Sequence, residues 1–98
     1  MAHNIDVVLP IVKARLNRLS VTIPQLDQYL TLRIQGADEE FARDGIHLLA
    51  DSTADALLLA DMTVWQYENR DKGDPMPAHL RLRRKERWLH ERRISDDS

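Results

Sequence analysis

The order of apolar and polar residues along the chain predicts four helices. From Ile5 to Leu19 the apolar side chains recur every three or four residues, which is the period of one helical face. The series from Leu26 to Phe41 has the same spacing and is the most regular in the chain. Two further segments are helical in pattern, one strongly apolar and one rich in arginine. We therefore expect helices at about residues 6–19, 23–44, 52–72 and 77–93.

Local signals support the ends of these helices. Pro10 is best tolerated in the first turn of the first helix, where a missing N–H costs least. Thr22 begins a capping-box pattern at the start of the second helix. Gly45 suits the position just beyond the end of that helix, in a Schellman-type stop. Ser52 is placed to cap the third helix.

The predicted third helix, residues 52–72, is apolar around most of its circumference. Such a helix must be covered on several sides, so we expect the other segments to pack around it. A chain of 98 residues fits one small domain. The sequence thus predicts an all-α fold, a small bundle of about four helices within a single domain at 1–98. We expect residues 77–98 to form its basic helical arm and a frayed tail.

Asp61 interrupts the apolar arc of this central helix, where a core residue is expected. A buried carboxylate must be paired or neutralised. We favour a buried ion pair of Asp61 with an arginine such as Arg33 of the second helix. Two other interpretations stay open, in which Asp61 lies at a subunit boundary or acts with Glu68 as a catalytic acid.

Three leucines look like surplus apolar surface. Leu59 falls on the more polar face of the central helix, and Leu48 and Leu49 lie in the short connector that precedes it. Scattered surface leucines are normal. In a chain this small, which buries a modest fraction of its surface, we favour a contact with another subunit.

The charge of the chain is divided between an acidic body and a basic end. Residues 1–74 carry seven basic and twelve acidic side chains, a net of −5, whereas residues 75–98 carry seven and four, a net of +3. Such a chain is suited to contact copies of itself head to tail, or to present a basic arm to an acidic partner.

The residues that carry chemistry do not group into a known pattern. There is no cysteine, the glycines are isolated, and no serine lies in a nucleophile motif. The histidines have no metal-ligand spacing. No apolar run reaches the roughly 18 residues of a membrane span, and no secretory signal is visible. We predict no catalytic, metal or cofactor site and no membrane partner.

The arginine-rich end of the chain also fits a second function. Arg81, Arg84 and Arg92 could meet phosphates on one side of a helix, and Trp88 could stack on a base. The alternative hypothesis is therefore a small helical nucleic-acid-binding or regulatory protein that uses residues 81–93.

Residues 57–81, LLLADMTVWQYENRDKGDPMPAHLR, resemble the late segment of small phage and prophage head–tail connector proteins, also called adaptor or head-completion proteins. In that family an apolar helix ends in a Tyr-x-x-Arg pattern, here Tyr67 and Arg70. A polar loop follows at residues 71–74, then a Met-Pro pair beginning at Met76, then a basic final helix.

The resemblance implies a structural protein of the virion, without an enzymatic step. It implies a ring of about a dozen copies on the portal, which extends the DNA channel and joins the head to a stopper or tail-joining protein. Double-stranded DNA would pass through the ring without being read, and the protein would move from the host cytoplasm into the head–tail junction. With the surplus leucines, the contact residues we expect are Leu48, Leu49, Leu59, Tyr67, Arg70, Met76, Arg81, Arg84, Arg87 and Trp88.

Overall fold

The protein is a bundle of four helices, as the sequence predicts. The computed structural model describes residues 5–17 and 23–96, with side chains described as far as residue 93. The helices are α1 (Ile5–Arg15), α2 (Pro24–Arg43), α3 (Thr53–Glu68) and α4 (Ala78–Asp96). α3 contacts each of the other three, and α1 also packs on α2. The strongly apolar segment is therefore the central helix, and the all-α prediction is confirmed.

The stop after α2 has the predicted geometry. Gly45 adopts a positive φ of 84°, which glycine tolerates because it has no Cβ. Its N–H donates to the carbonyl of Ala42 at 3.0 Å, and the N–H of Ile46 donates to the carbonyl of Phe41 at 2.8 Å. These are the two hydrogen bonds of a Schellman motif. Phe41 and Ile46 are both buried in the core.

The first helix differs from its prediction at both ends. α1 ends at Arg15 rather than near residue 19, because Asn17 takes a left-handed φ of 58° that breaks the helical path. Pro10 lies inside the helix instead of in its first turn, so the hydrogen bond that its N–H would donate to Asp6 is missing. Thr22 lies outside the described residues, and Ile23 occupies the N-cap of α2 without a side-chain hydrogen bond.

The other boundaries are close to their predictions. Ser52 caps α3, and its hydroxyl oxygen accepts from the N–H of Asp55 at 3.2 Å. α3 ends at Glu68 rather than at residue 72, because the side-chain amide of Asn69 donates to the carbonyl of Trp65 and closes the last turn. The carbonyl of Pro77 accepts the first hydrogen bonds of α4, which continues three residues beyond the predicted end.

Two of the three surplus leucines belong to the core. Leu59 is completely buried and Leu48 is 2 % exposed. The prediction that they are surface residues is wrong, because the polar face of α3 that carries Leu59 is also covered and the connector that carries Leu48 packs into the core. Thr63 on that face donates its hydroxyl to the carbonyl of Leu59 at 2.8 Å, so a polar residue is satisfied inside the bundle. Leu49 alone of the three is exposed.

The face of α3 that points to solvent is a different one. Leu57, which we placed in the main apolar arc, is 43 % exposed. Ala54, from the same arc, is also exposed.

Within the described part of the chain, no helix is both long and apolar enough to cross a bilayer.

The corrected orientation of α3 predicts different costs for two neighbouring leucines. Leu59→Ala leaves a cavity in the core and should lower the free energy of unfolding by about 2–5 kcal/mol. Leu57→Ala removes the same atoms from an exposed site and should change it by no more than about 0.5 kcal/mol. Urea unfolding followed by circular dichroism measures both, and equal losses would contradict this orientation.

Candidate functional site: the final helix and its groove

The final helix places charged residues against the body and leucines toward solvent. Arg87 is buried, Glu91 is half-buried, and of the helix leucines only Leu80 is buried. Leu82 and Leu89 are 56 % and 42 % exposed. An amphipathic helix normally turns its apolar stripe to the core, so α4 has the reverse arrangement on much of its length.

A buried ion pair between Arg87 and Asp55 explains this orientation. Their side chains are only 9 % and 7 % exposed. Nε of Arg87 lies 2.9 Å from Oδ1 of Asp55, and Nη2 lies 3.2 Å from Oδ2. This two-point contact fits the planar guanidinium. The same Nη2 donates to the carbonyl of His47 at 2.9 Å.

The ion pair also holds the connector between α2 and α3. The N–H of Leu49 donates to Oδ2 of Asp55, and the N–H of His47 donates to Oε1 of Glu91, each at 2.8 Å. Glu91 is in turn 3.3 Å from Nη1 of Arg87. The connector is thus attached to α3 and α4 through its backbone. The prediction that Arg87 is an interface residue is wrong, because this network encloses it.

Asp61 is paired with arginines, but not with Arg33. One of its oxygens accepts from Nη1 of Arg83 on α4 at 2.6 Å, and the other accepts from Arg15 on α1. Arg33 on α2 instead donates Nε to the hydroxyl of Tyr29 at 2.9 Å. The predicted partner is wrong because α1 and α4, rather than α2, border the side of α3 that carries Asp61.

A third arginine of α4 reaches the end of α2. Arg84 forms an ion pair with Asp44, and its guanidinium carbon lies 5.8 Å from the centre of the Phe41 ring. Arg83, Arg84 and Arg87 therefore each bind a carboxylate of another part of the chain. Because these three guanidinium groups are engaged in ion pairs within the chain, the cationic surface of α4 is smaller than its arginine content suggests.

Between α2, α3 and α4 lies an open groove of about 730 Å³. Its floor is apolar and consists of Ala37, Phe41, Met62, Met76 and Trp88. One side is bordered on α2 by the acids Glu40 and Asp44, and the other on α4 by Arg81, Arg84 and Lys85. The groove thus combines an apolar floor with two walls of opposite charge, which the Arg84–Asp44 ion pair joins.

The predicted contact residues separate into distinct places. Met76, Arg81, Arg84 and Trp88 line the groove together. Tyr67 and Arg70 belong to a second cluster near the end of α3. The rings of Tyr67 and Tyr29 pack edge to face with their centres 5.9 Å apart. The guanidinium carbon of Arg70 lies 4.2 Å from the centre of the Tyr67 ring.

Sequence reasoning missed the acidic wall and the outward leucines. Nothing in the sequence distinguishes Glu40 and Asp44 from ordinary surface acids, although they border an apolar floor. Leu82 and Leu89 carried a usable signal, since they are seven residues apart and share a helical face, while Arg87 lies on the opposite one.

Neither a metal cluster nor a known relative points to an activity. Among residues 5–17 and 23–96, no group of three histidine or carboxylate side chains is placed to hold a metal ion. No protein-family model matches the chain, and no curated protein or solved structure shows significant similarity to it.

The Arg87–Asp55 pair predicts a large cost for breaking it on one side. Arg87→Met should lower the free energy of unfolding by about 3–5 kcal/mol, because Asp55 is left buried without its counter-charge. Arg93→Met, which removes an exposed arginine of the same helix, should change it by less than about 0.5 kcal/mol. Chemical denaturation of the two variants makes the comparison. A near-neutral Arg87→Met would contradict the buried pair.

Proposed function

We propose that this chain is a structural adaptor at the head–tail junction of a tailed phage or prophage particle. It assembles as a ring on the portal, extends the DNA channel and joins the head to a stopper or tail-joining protein. It is made in the host cytoplasm and ends in the virion. No enzymatic step, cofactor or membrane belongs to this function.

The outward stripe of Leu82 and Leu89 is the observation that supports an assembly role. α4 is held on the body by ion pairs and by the buried Leu80, and Leu82 and Leu89 make no contribution to the core. Exposed leucines that are aligned on one helical face are typical of a helix that docks into a partner. The unfavourable free energy of exposing these leucines to water is removed only when a partner covers them.

The motif at residues 57–81 supports the choice of the phage connector. The structure of this segment follows the predicted order: an apolar helix to Glu68, a loop without regular structure at residues 72–77, and a basic helix from Ala78. The acidic body and basic end of the chain suit contacts between unlike surfaces, and repetition of such a contact can close a ring.

Binding of DNA as the main function is the alternative. Arg81, Lys85, Arg92 and Arg93 are exposed and are the cations of α4 that would meet phosphates. The internal pairs of the other three arginines weaken this alternative. It requires DNA binding that falls steeply with salt, so a gel shift at low salt without a complex would exclude it.

The connector proposal predicts added density on the portal. When the protein is mixed with a preparation of phage portal protein, electron microscopy should show a ring coaxial with the channel. Leu82→Gln/Leu89→Gln should reduce the share of decorated portals, because these leucines supply assembly contacts. Leu32→Gln/Leu57→Gln removes two exposed leucines of other helices and should leave decoration unchanged. Bare portals at saturating wild-type protein would contradict the proposal.

A further inference from the structure

We propose that the leucine stripe of α4 in one copy docks into the groove between α2 and α4 of a second copy. The stripe is defined by Leu82 and Leu89, and the apolar surface of the groove by Met76 and Trp88, which are half-buried. This inference names the contact between copies that a ring requires, and so it rests on the proposed function.

The lengths of the two surfaces match. Leu82 and Leu89 are separated by seven residues, or about 10.5 Å along a helix. The groove is bordered by α2 from Ala37 to Asp44 and by α4 from Arg81 to Trp88. Each border also covers seven residue steps, so both leucines can enter the groove at once.

The chemistry of the two surfaces also matches. Of the apolar side chains that line the groove, Met76 and Trp88 are half-buried and accessible, and methionine adapts its shape to an incoming apolar group. Leucines seven residues apart are the usual anchors of a helix that binds in such a groove. The exposed stripe therefore finds an apolar site of suitable length on every other copy.

Charge specifies how the helix would lie. One edge of the stripe carries Lys85 and Arg92, which are seven residues apart on the same side of the leucines. This edge complements Glu40 of the acidic wall, whereas Asp44 is already paired with Arg84. Glu40 accepts a hydrogen bond from the uncharged side-chain amide of Gln66 at 2.9 Å.

The other edge of the stripe faces the opposite wall. It carries Glu86 and Arg93, which are seven residues apart and of opposite charge, so this edge has no net charge toward the basic wall. In the reverse orientation Lys85 and Arg92 would face the basic wall, and like charges would repel. Charge complementarity of this kind fixes orientation more than it raises affinity. A second copy of the chain is thus the occupant that fits both walls and the floor.

Single-cysteine variants test the contact directly, because the chain contains no cysteine. Leu89→Cys and Glu40→Cys are purified separately, mixed in equal amounts and treated with a short bismaleimide. The mixed dimer should dominate over both dimers of like chains. Leu57→Cys, with 43 % exposure, replaces Leu89→Cys in the control mixture and should give background yield with Glu40→Cys.

The outcomes separate the possible contacts. Dominant Leu89→Cys pairs would show a leucine-to-leucine contact and overturn the groove assignment, as would equal yields from Leu57→Cys. Sedimentation of the uncross-linked chain gives a second readout. Leu82→Gln/Leu89→Gln should weaken self-association by more than roughly tenfold, and Leu32→Gln/Leu57→Gln should not. Circular dichroism checks that both double variants are folded.

Failure of this contact is distinguishable from failure of the proposed function. If wild-type protein forms a ring on the portal and Leu82→Gln/Leu89→Gln forms the same ring, the stripe-to-groove contact is wrong and the adaptor proposal survives. If the mixed cross-link dominates but no portal is decorated, the contact is right and the adaptor proposal is wrong.

Discussion

The buried contact between Arg87 and Asp55 determines how the C-terminal half of the chain is arranged. It joins α4 to the first turn of α3, and Asp55 and Glu91 also accept the backbone N–H groups of the connector. A buried guanidinium has to keep its carboxylate, since removal of either partner leaves a charge without compensation. This requirement fixes which face of α4 meets the body, and Leu82 and Leu89 on the other face then point to solvent.

The arginines of α4 form ion pairs with the body of the chain, whereas two of its leucines are exposed. Arg83, Arg84 and Arg87 hold α4 on α3 and on the end of α2. What remains on the surface is a leucine stripe with cations along one edge, beside a groove with an acidic wall. This exposed stripe and this groove are the physical basis of the adaptor proposal.

The sequence was sufficient for the fold class and for the elements with clear local signals. The regular series of α2 and its Gly45 stop depend on neighbouring residues, so they were predictable. The orientation of α3 was harder to predict because this helix is apolar on most sides. Its helical periodicity alone could not show that Leu59 is buried and Leu57 exposed. Partners across the bundle were beyond local reasoning. Asp61 needed an arginine, as expected, but the choice of Arg15 and Arg83 over Arg33 depends on which helices border α3.

Hydrogen exchange at the connector is the most direct measurement of the Arg87 constraint. The N–H groups of His47 and Leu49 should be protected in the wild-type chain, because Glu91 and Asp55 accept them. In Arg87→Met both should exchange faster relative to the core amides of α2. The N–H of Ile46, which is bonded to Phe41, should keep its relative protection. Unchanged protection of His47 and Leu49 in Arg87→Met would show that Arg87 does not organise this half of the protein.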